Sequence, residues 1–257
     1  MDSSVQIHRS GSVNVLTLSD ATGRNALSLR MRELLLDALN ACLADTECRA
    51  IVLTGAGGNF CAGGDVREMN IHSQDEALQR LRLVHRIIRQ IVLGAKPVVC
   101  AIDGIAAGGG ISLLAGCDHV VASDTARLTS SFLRTGVLPD MGALWTVSHR
   151  MGLAQARTFF TMGTTLRADQ AQQAGLVDTV VATDELMPQS IHIAHQLAQI
   201  APLTFRAFKQ ALANDAWSFA SALAVEEQFQ PSLVTSSDHR EAVAAFLQKR
   251  QPRFTGS

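Results

Sequence analysis

The sequence predicts an α/β fold of parallel strands with helical crossovers, closed by a helical C-terminal segment. Three features carry that prediction. Short apolar, β-branched runs alternate with longer amphipathic stretches between Val13 and Ala122. Two glycine-rich segments, Gly55–Asp65 (GAGGNFCAGGD) and Ala106–Ile111 (AAGGGI), each stand directly behind one of the apolar runs. From Asp184 onward the pattern is helical throughout, interrupted at Pro202, at Asn214-Asp215 and over Pro231–Ser237.

Taken in order, Val5–His8 alternates weakly and Val13–Leu18 (VNVLTL) more clearly, with Gly11-Ser12 between them, so the chain opens on a hairpin. The polar stretch Ser19–Asn25 leads to Ser28, a suitable N-cap for a helix over Leu29–Ala44. Leu34, Leu35, Ala38, Leu39, Cys42 and Leu43 give that helix its apolar stripe. Ala50–Thr54 (AIVLT) is the next strand, and residues 73–93 form a long amphipathic helix closed by Gly94 and Pro97. Pro97–Ile102 (PVVCAI) reads as a buried strand. The triple glycine Gly108–Gly110 separates it from a short helix near Ser112, and His119–Ala122 returns to strand. Such an order predicts parallel pairing through right-handed crossovers. Ala126–Asp140 carries few helix signals, whereas Met141–His149, Gly152–Met162 and Leu166–Ala174 read as helices and Val177–Val181 as a last strand. The tail divides into helices over 185–200, 203–213, 218–230 and 238–250.

With 257 residues, 47% of them apolar and 18% charged, the chain is long enough for a large core and too apolar for disorder. A net charge of −1 offers nothing to a nucleic acid or an anionic membrane, so neither is expected as a partner. No apolar run approaches a membrane span, and the N-terminus lacks a signal core. The five cysteines form no CxxC pair, and Cys100 and Cys117 sit in apolar surroundings, as free thiols in a reducing cytoplasm would. No His, Cys and Asp spacing suggests a metal site.

Chemistry points to the glycine loops. Consecutive glycines between a strand and a helix leave bare N–H groups at the positive end of a helix dipole, where an anion or developing oxyanion is held. Two such loops can each give one N–H to the same oxygen atom; the alternative is that both are ordinary tight turns.

Across nearly its whole length the chain resembles the crotonase superfamily, the enoyl-CoA hydratase/isomerase family. The likeness runs through RNALS (Arg24–Ser28), FCAGGDVREM (Phe60–Met69), KPVVCAIDGIAAGGGISLLAGCD (Lys96–Asp118), TGVLPDMGA (Thr135–Ala143), AGLVD (Ala174–Asp178) and AFLQKRQPRF (Ala245–Phe254). The resemblance implies a crotonase-like spiral of ββα units over residues 1–200. It assigns residues 201–257 to a helical segment for oligomer contacts and coenzyme A cover, in homotrimers or homohexamers. It implies an acyl-CoA thioester as substrate, with coenzyme A a part of that substrate and no separate cofactor. Matched position by position, it places the two thioester-gripping amides at Gly64 and Gly109. Arg24, Asn25 and Ala26 fall beside the nucleotide and pantetheine, Ala62, Gly63 and Asp65 along the same channel, and Phe246 and Lys249 at positions that reach coenzyme A, sometimes from a neighbouring subunit. Removing a proton alpha to a thioester makes an enolate, and losing one fixed donor to it costs about 3 kcal/mol.

The sequence departs from the hydratase pattern at its acid–base groups. The two glutamates that handle water in family hydratases would fall at Ser112 and at Phe132, a substrate-lining position, and neither residue is a carboxylate. Asp140, in LPDMG, matches the aspartate that faces substrate in members that shift a double bond, so an enoyl-CoA isomerase with Asp140 as the single proton carrier is the leading expectation. Its other possible role is to cap the helix predicted from Met141. Three readings compete with isomerase activity: a hydratase, a hydrolase or dehalogenase with Asp140 as nucleophile and His85 as helper, and a CoA-binding protein without activity.

Overall fold

The computed structural model describes residues 3–213 and 218–257. The chain opens with strands β1 (Ser4–Ser10) and β2 (Val13–Ser19), helix α1 (Leu29–Ala44), strand β3 (Ala50–Gly55) and helix α2 (Gln74–Leu93). It continues through β4 (Val98–Ile102), β5 (Ile105–Ala107), α3 (Gly109–Ala115), β6 (His119–Ser123) and β7 (Arg127–Thr129). Helices α4 (Ala143–Met151) and α5 (Leu153–Met162), strand β8 (Thr165–Arg167), α6 (Ala168–Gln173) and β9 (Thr179–Val181) follow. Helices α7 (Leu186–Ala198), α8 (Pro202–Leu212), α9 (Phe219–Val234) and α10 (Ser237–Leu247) close the chain.

One sheet has six strands in the order β1-β2-β3-β4-β6-β9, antiparallel in the opening hairpin and parallel thereafter, as the alternation of strands and helices requires. Register sets Val15 beside Val52, Leu53 beside Cys100, and Cys100 beside Val120. Successive residues point to opposite faces. Leu16, Ile51, Leu53, Cys100 and Val120 therefore bury against α1, α2 and α3 on one side. Val15, Val52, Val99, Ala101 and Val121 bury against Ile193 and Ala194 of α7 on the other. A second sheet, β5-β7-β8, stands apart. Among the described residues no helix is long and apolar enough to cross a membrane.

The α/β core with a helical tail is as the sequence predicts; its short elements differ. Strands β5, β7 and β8 are three residues each, too short for a two-residue period to show, and Leu166 and Arg167 belong to β8 where the start of a helix is expected. Helix α4 starts at Ala143 rather than Met141, because Met141 (φ 51°) and Gly142 (φ 72°) are both left-handed. Helix α9 runs through Pro231 to Val234: near the helix end a proline forfeits one N–H bond without stopping the last turn. Helix α10 begins at Ser237 and ends at Leu247, and Lys249 just beyond it is left-handed (φ 54°). The expected break at Asn214-Asp215 lies outside the described residues.

Candidate active site

Three loops meet beyond the C-terminal ends of β3 and β4, and their backbones are bonded to one another. Phe60 N donates to Asp103 O at 2.8 Å, Cys61 N to Ile105 O at 3.0 Å, and Ala107 N to Cys61 O at 2.9 Å. Ala62 N donates to Arg24 O at 2.9 Å and Leu27 N to Gly63 O at 2.7 Å, drawing in the segment before α1. The closeness of the loops requires missing side chains. At Gly63 (φ +88°) a Cβ would stand 2.6 Å from Ala107 O and 3.0 Å from Gly109 N; at Gly110 it would stand 2.4 Å from Cys61 O.

A cavity of about 130 Å³ opens over this junction. Leu27, Val66, Met69, Val84, Phe132, Val137 and Met141 give it apolar walls, and Gly64 and Gly109 both line it. Gly109 is the first residue of α3, where an amide has no partner within its helix. Among the described residues neither the Gly64 nor the Gly109 amide has a protein acceptor. Asp140 lines the same cavity and is the only carboxylate among the described residues that do so. Burial pushes its pKa above the usual aspartate value, against the opposing pull of Arg32 and His85. Asp140 is not a side-chain cap for α4: Gly142 holds the N-cap position, and the backbone oxygen of Asp140 takes the Ala143 amide at 3.0 Å.

Residues 8–257 match the family described as enoyl-CoA hydratase/isomerase. The chain belongs to this family. It is 32% identical over 254 residues to 1,2-epoxyphenylacetyl-CoA isomerase of Escherichia coli (strain K12), covering 97% of each chain. It is 33% identical over 251 residues to 2,3-dehydroadipyl-CoA hydratase of the same organism, covering 97% of this chain and 98% of the relative. An enoyl-CoA hydratase from Polaromonas sp. JS666 superposes with a TM-score of 0.91 at 30% identity, over 98% of this chain and 99% of that one. The two sheets and trailing helices are thus the crotonase fold.

For this enoyl-CoA hydratase/isomerase family member the structure gathers only part of the expected set of site residues. Gly64, Gly109, Ala62, Phe132 and Asp140 share the cavity. Ala26 and Asp65 line a second, polar cavity of about 330 Å³, together with Asp20, Arg30, Arg67 and Glu68. There Asp65 is tied to Arg67, whose Nη2 lies 2.6 Å from Oδ2, and this hydrogen bonding holds its carboxyl below the usual range. Arg24 is exposed at the surface. Asn25 is fully buried and left-handed (φ 54°), and its amide bonds Ala56 O (2.9 Å), Asn59 O (2.7 Å) and the Asp20 N–H (3.2 Å). Its side chain is spent on positioning loops. Ser112 is buried within α3, away from the cavity lining, and burial pushes the Cys61 thiol up to about 12, so neither is a ready nucleophile.

Phe246 and Lys249 are not brought to the cavity. Phe246 is 84% exposed, and Arg250, next to Lys249, shares a surface pocket with Gln199 at the end of α7. The following residues are held by Arg49, whose Nη1 donates to Phe254 O at 2.9 Å and which precedes the first residue of β3. That is the end of the sheet opposite the glycine loops. Sequence reading also missed Arg32, which lines the cavity. A signal existed: Arg32 precedes the buried Leu35 and Leu36 by three and four positions, the spacing of one helix face.

Proposed function

We propose that the protein is an enoyl-CoA isomerase that moves a double bond from the 3,4 to the 2,3 position of an acyl-CoA through a thioester enolate. The observation that carries this reading is Asp140, the single carboxylate among the described residues on a small cavity that Gly64 and Gly109 also line. Asp140 takes a proton from C2, and the electron pair moves onto the thioester oxygen, where the two amides stabilise the charge. The same carboxyl returns the proton at C4 as the enolate collapses to the conjugated product. A raised pKa suits a group that must both accept and release a proton. Coenzyme A enters as part of the substrate, with Arg24, Ala26 and Asp65 along its path.

The relatives named above are an isomerase and a hydratase of almost equal likeness, so likeness does not choose between them. What favours isomerisation is that Ser112 and Phe132 occupy the positions of the paired glutamates that would hold water. The remote position of Phe246 and Lys249 favours a trimer or hexamer in which segment 201–257 of one copy covers the coenzyme A of another. Exposed Phe219, Leu247 and Phe246 on that segment fit such contacts. All five cysteines are buried free thiols, which favours a reducing compartment such as the cytoplasm.

Turnover of a 3-enoyl-CoA in deuterated water tests the reading. The expected product is the 2-enoyl-CoA, with label at C4 or C2 to the extent that the proton held by Asp140 exchanges with solvent before its return. A 3-hydroxyacyl-CoA would make the protein a hydratase, free CoA or a covalent ester a hydrolase or dehalogenase, and tight binding without turnover an inactive CoA-binding protein.

A further inference from the structure

Double-bond migration gives no task to Arg32, the cation of the cavity lining among the described residues. Arg32 sits on the inward face of α1 and is fixed there, its Nε donating to Leu27 O at 2.8 Å. One terminal nitrogen lies 3.8 Å from where a Cβ on Gly64 would stand, so the guanidinium reaches the acyl cavity close to a proposed thioester donor. Among the described residues no carboxylate oxygen lies within 4.0 Å of it. Asp140 and Glu68 attract it from farther off, Arg80 opposes them, and burial pulls its pKa down. Arginine nevertheless remains protonated in proteins, and a partly buried cation with no anion beside it is costly. A guanidinium presents a planar fork that matches a carboxylate through two parallel hydrogen bonds.

We propose that Arg32 pairs with a second carboxylate carried by the acyl group, so that the preferred substrate is the mono-CoA thioester of a short dicarboxylic acid. This rests on the acyl-CoA reading above. The small cavity and the closeness of Arg32 to Gly64 put the second carboxylate only a few bonds beyond the thioester carbon. The apolar walls then hold the intervening carbons, and Asp140 and Arg32 supply the two polar contacts of the acyl end.

Binding of matched, unreactive thioesters tests this: butyryl- against succinyl-CoA, pentanoyl- against glutaryl-CoA, and hexanoyl- against adipyl-CoA, by calorimetry on the full-length protein. At the best-fitting length the diacid thioester binds about tenfold or more tightly than its neutral counterpart, as a charged hydrogen-bonded pair would give. Arg32→Leu abolishes that preference while keeping affinity for the neutral thioester, and Arg32→Lys keeps part of it. The proposal is overturned if neutral thioesters bind as well as diacids at every length. It is also overturned if Arg32→Leu weakens both members of a pair equally, which would make Arg32 a partner of Asp140 or of the thioester oxygen. Should none of the six thioesters bind, the acyl-CoA reading itself falls, a result distinct from binding without preference.

Discussion

Asp140 is buried enough that its charge is expensive, and that expense has measurable signs. As the proposed base, Asp140 must be ionised to act, so the acid limb of the rate profile should lie above the ordinary aspartate value of 3.8. The folded protein also binds this proton more tightly than the unfolded chain does. Stability contributed by protonated Asp140 is therefore complete below the unfolded pKa and lost as pH rises through the higher folded pKa. Asp140→Asn should cut turnover by about 10²-fold or more, leave thioester affinity intact, and melt higher than the parent at neutral pH, with that advantage fading on acidification. Retained turnover would remove Asp140 from the chemistry. Beside it, Met141 is buried and left-handed (φ 51°). Alanine ordinarily outranks glycine in stability; here the order should invert, with Met141→Gly about 1 kcal/mol more stable than Met141→Ala in denaturant titration. The glycine-rich loops stand out in the sequence because bare amides behind buried strands leave a chemical signature, whereas Gly64, Gly109 and Asp140 were singled out by resemblance to the family. Arg32 was not, since a charged residue on an amphipathic helix usually faces water.

The loops act as one element because their backbones share hydrogen bonds, and Asn25 ties the segment before α1 to the first glycine loop. Asn25→Ala removes bonds to two carbonyls and one amide in a fully buried place. The expected loss is about 1–3 kcal/mol of stability, read by chemical denaturation, with a fall in kcat because the Gly64 amide loses its setting. Unchanged kinetics would separate loop order from catalysis. Elements of this scale were read from sequence in proportion to their length. The hairpin, α1 and α2 each span enough residues to show a period and β3, β4 and β6 stand out as continuous apolar runs, whereas β5, β7 and β8 are too short for either. The left-handed turn at Met141-Gly142 escaped because methionine gives no warning of a positive φ.

Across the whole molecule, α8 is moored to the core by Lys209, whose Nζ lies 2.7 Å from Asp118 Oδ2 and 2.7 Å from Ile91 O. Burial raises the Asp118 pKa in spite of that partner. Lys209→Met would leave a carboxylate buried and unpaired, at about 3–5 kcal/mol in unfolding free energy, and adding Asp118→Asn should recover part of it. No recovery would mean that the pair contributes nothing beyond packing. The sequence showed the helices of the tail but not where they lie, because placement depends on contacts between residues far apart in the chain, such as Arg49 with Phe254. That placement has a kinetic consequence. With the proposed substrate pocket at one end of the strands and the proposed lid at the other, each copy would depend on its neighbours, so specific activity should fall as the enzyme is diluted below the dissociation constant of that assembly and return on concentration.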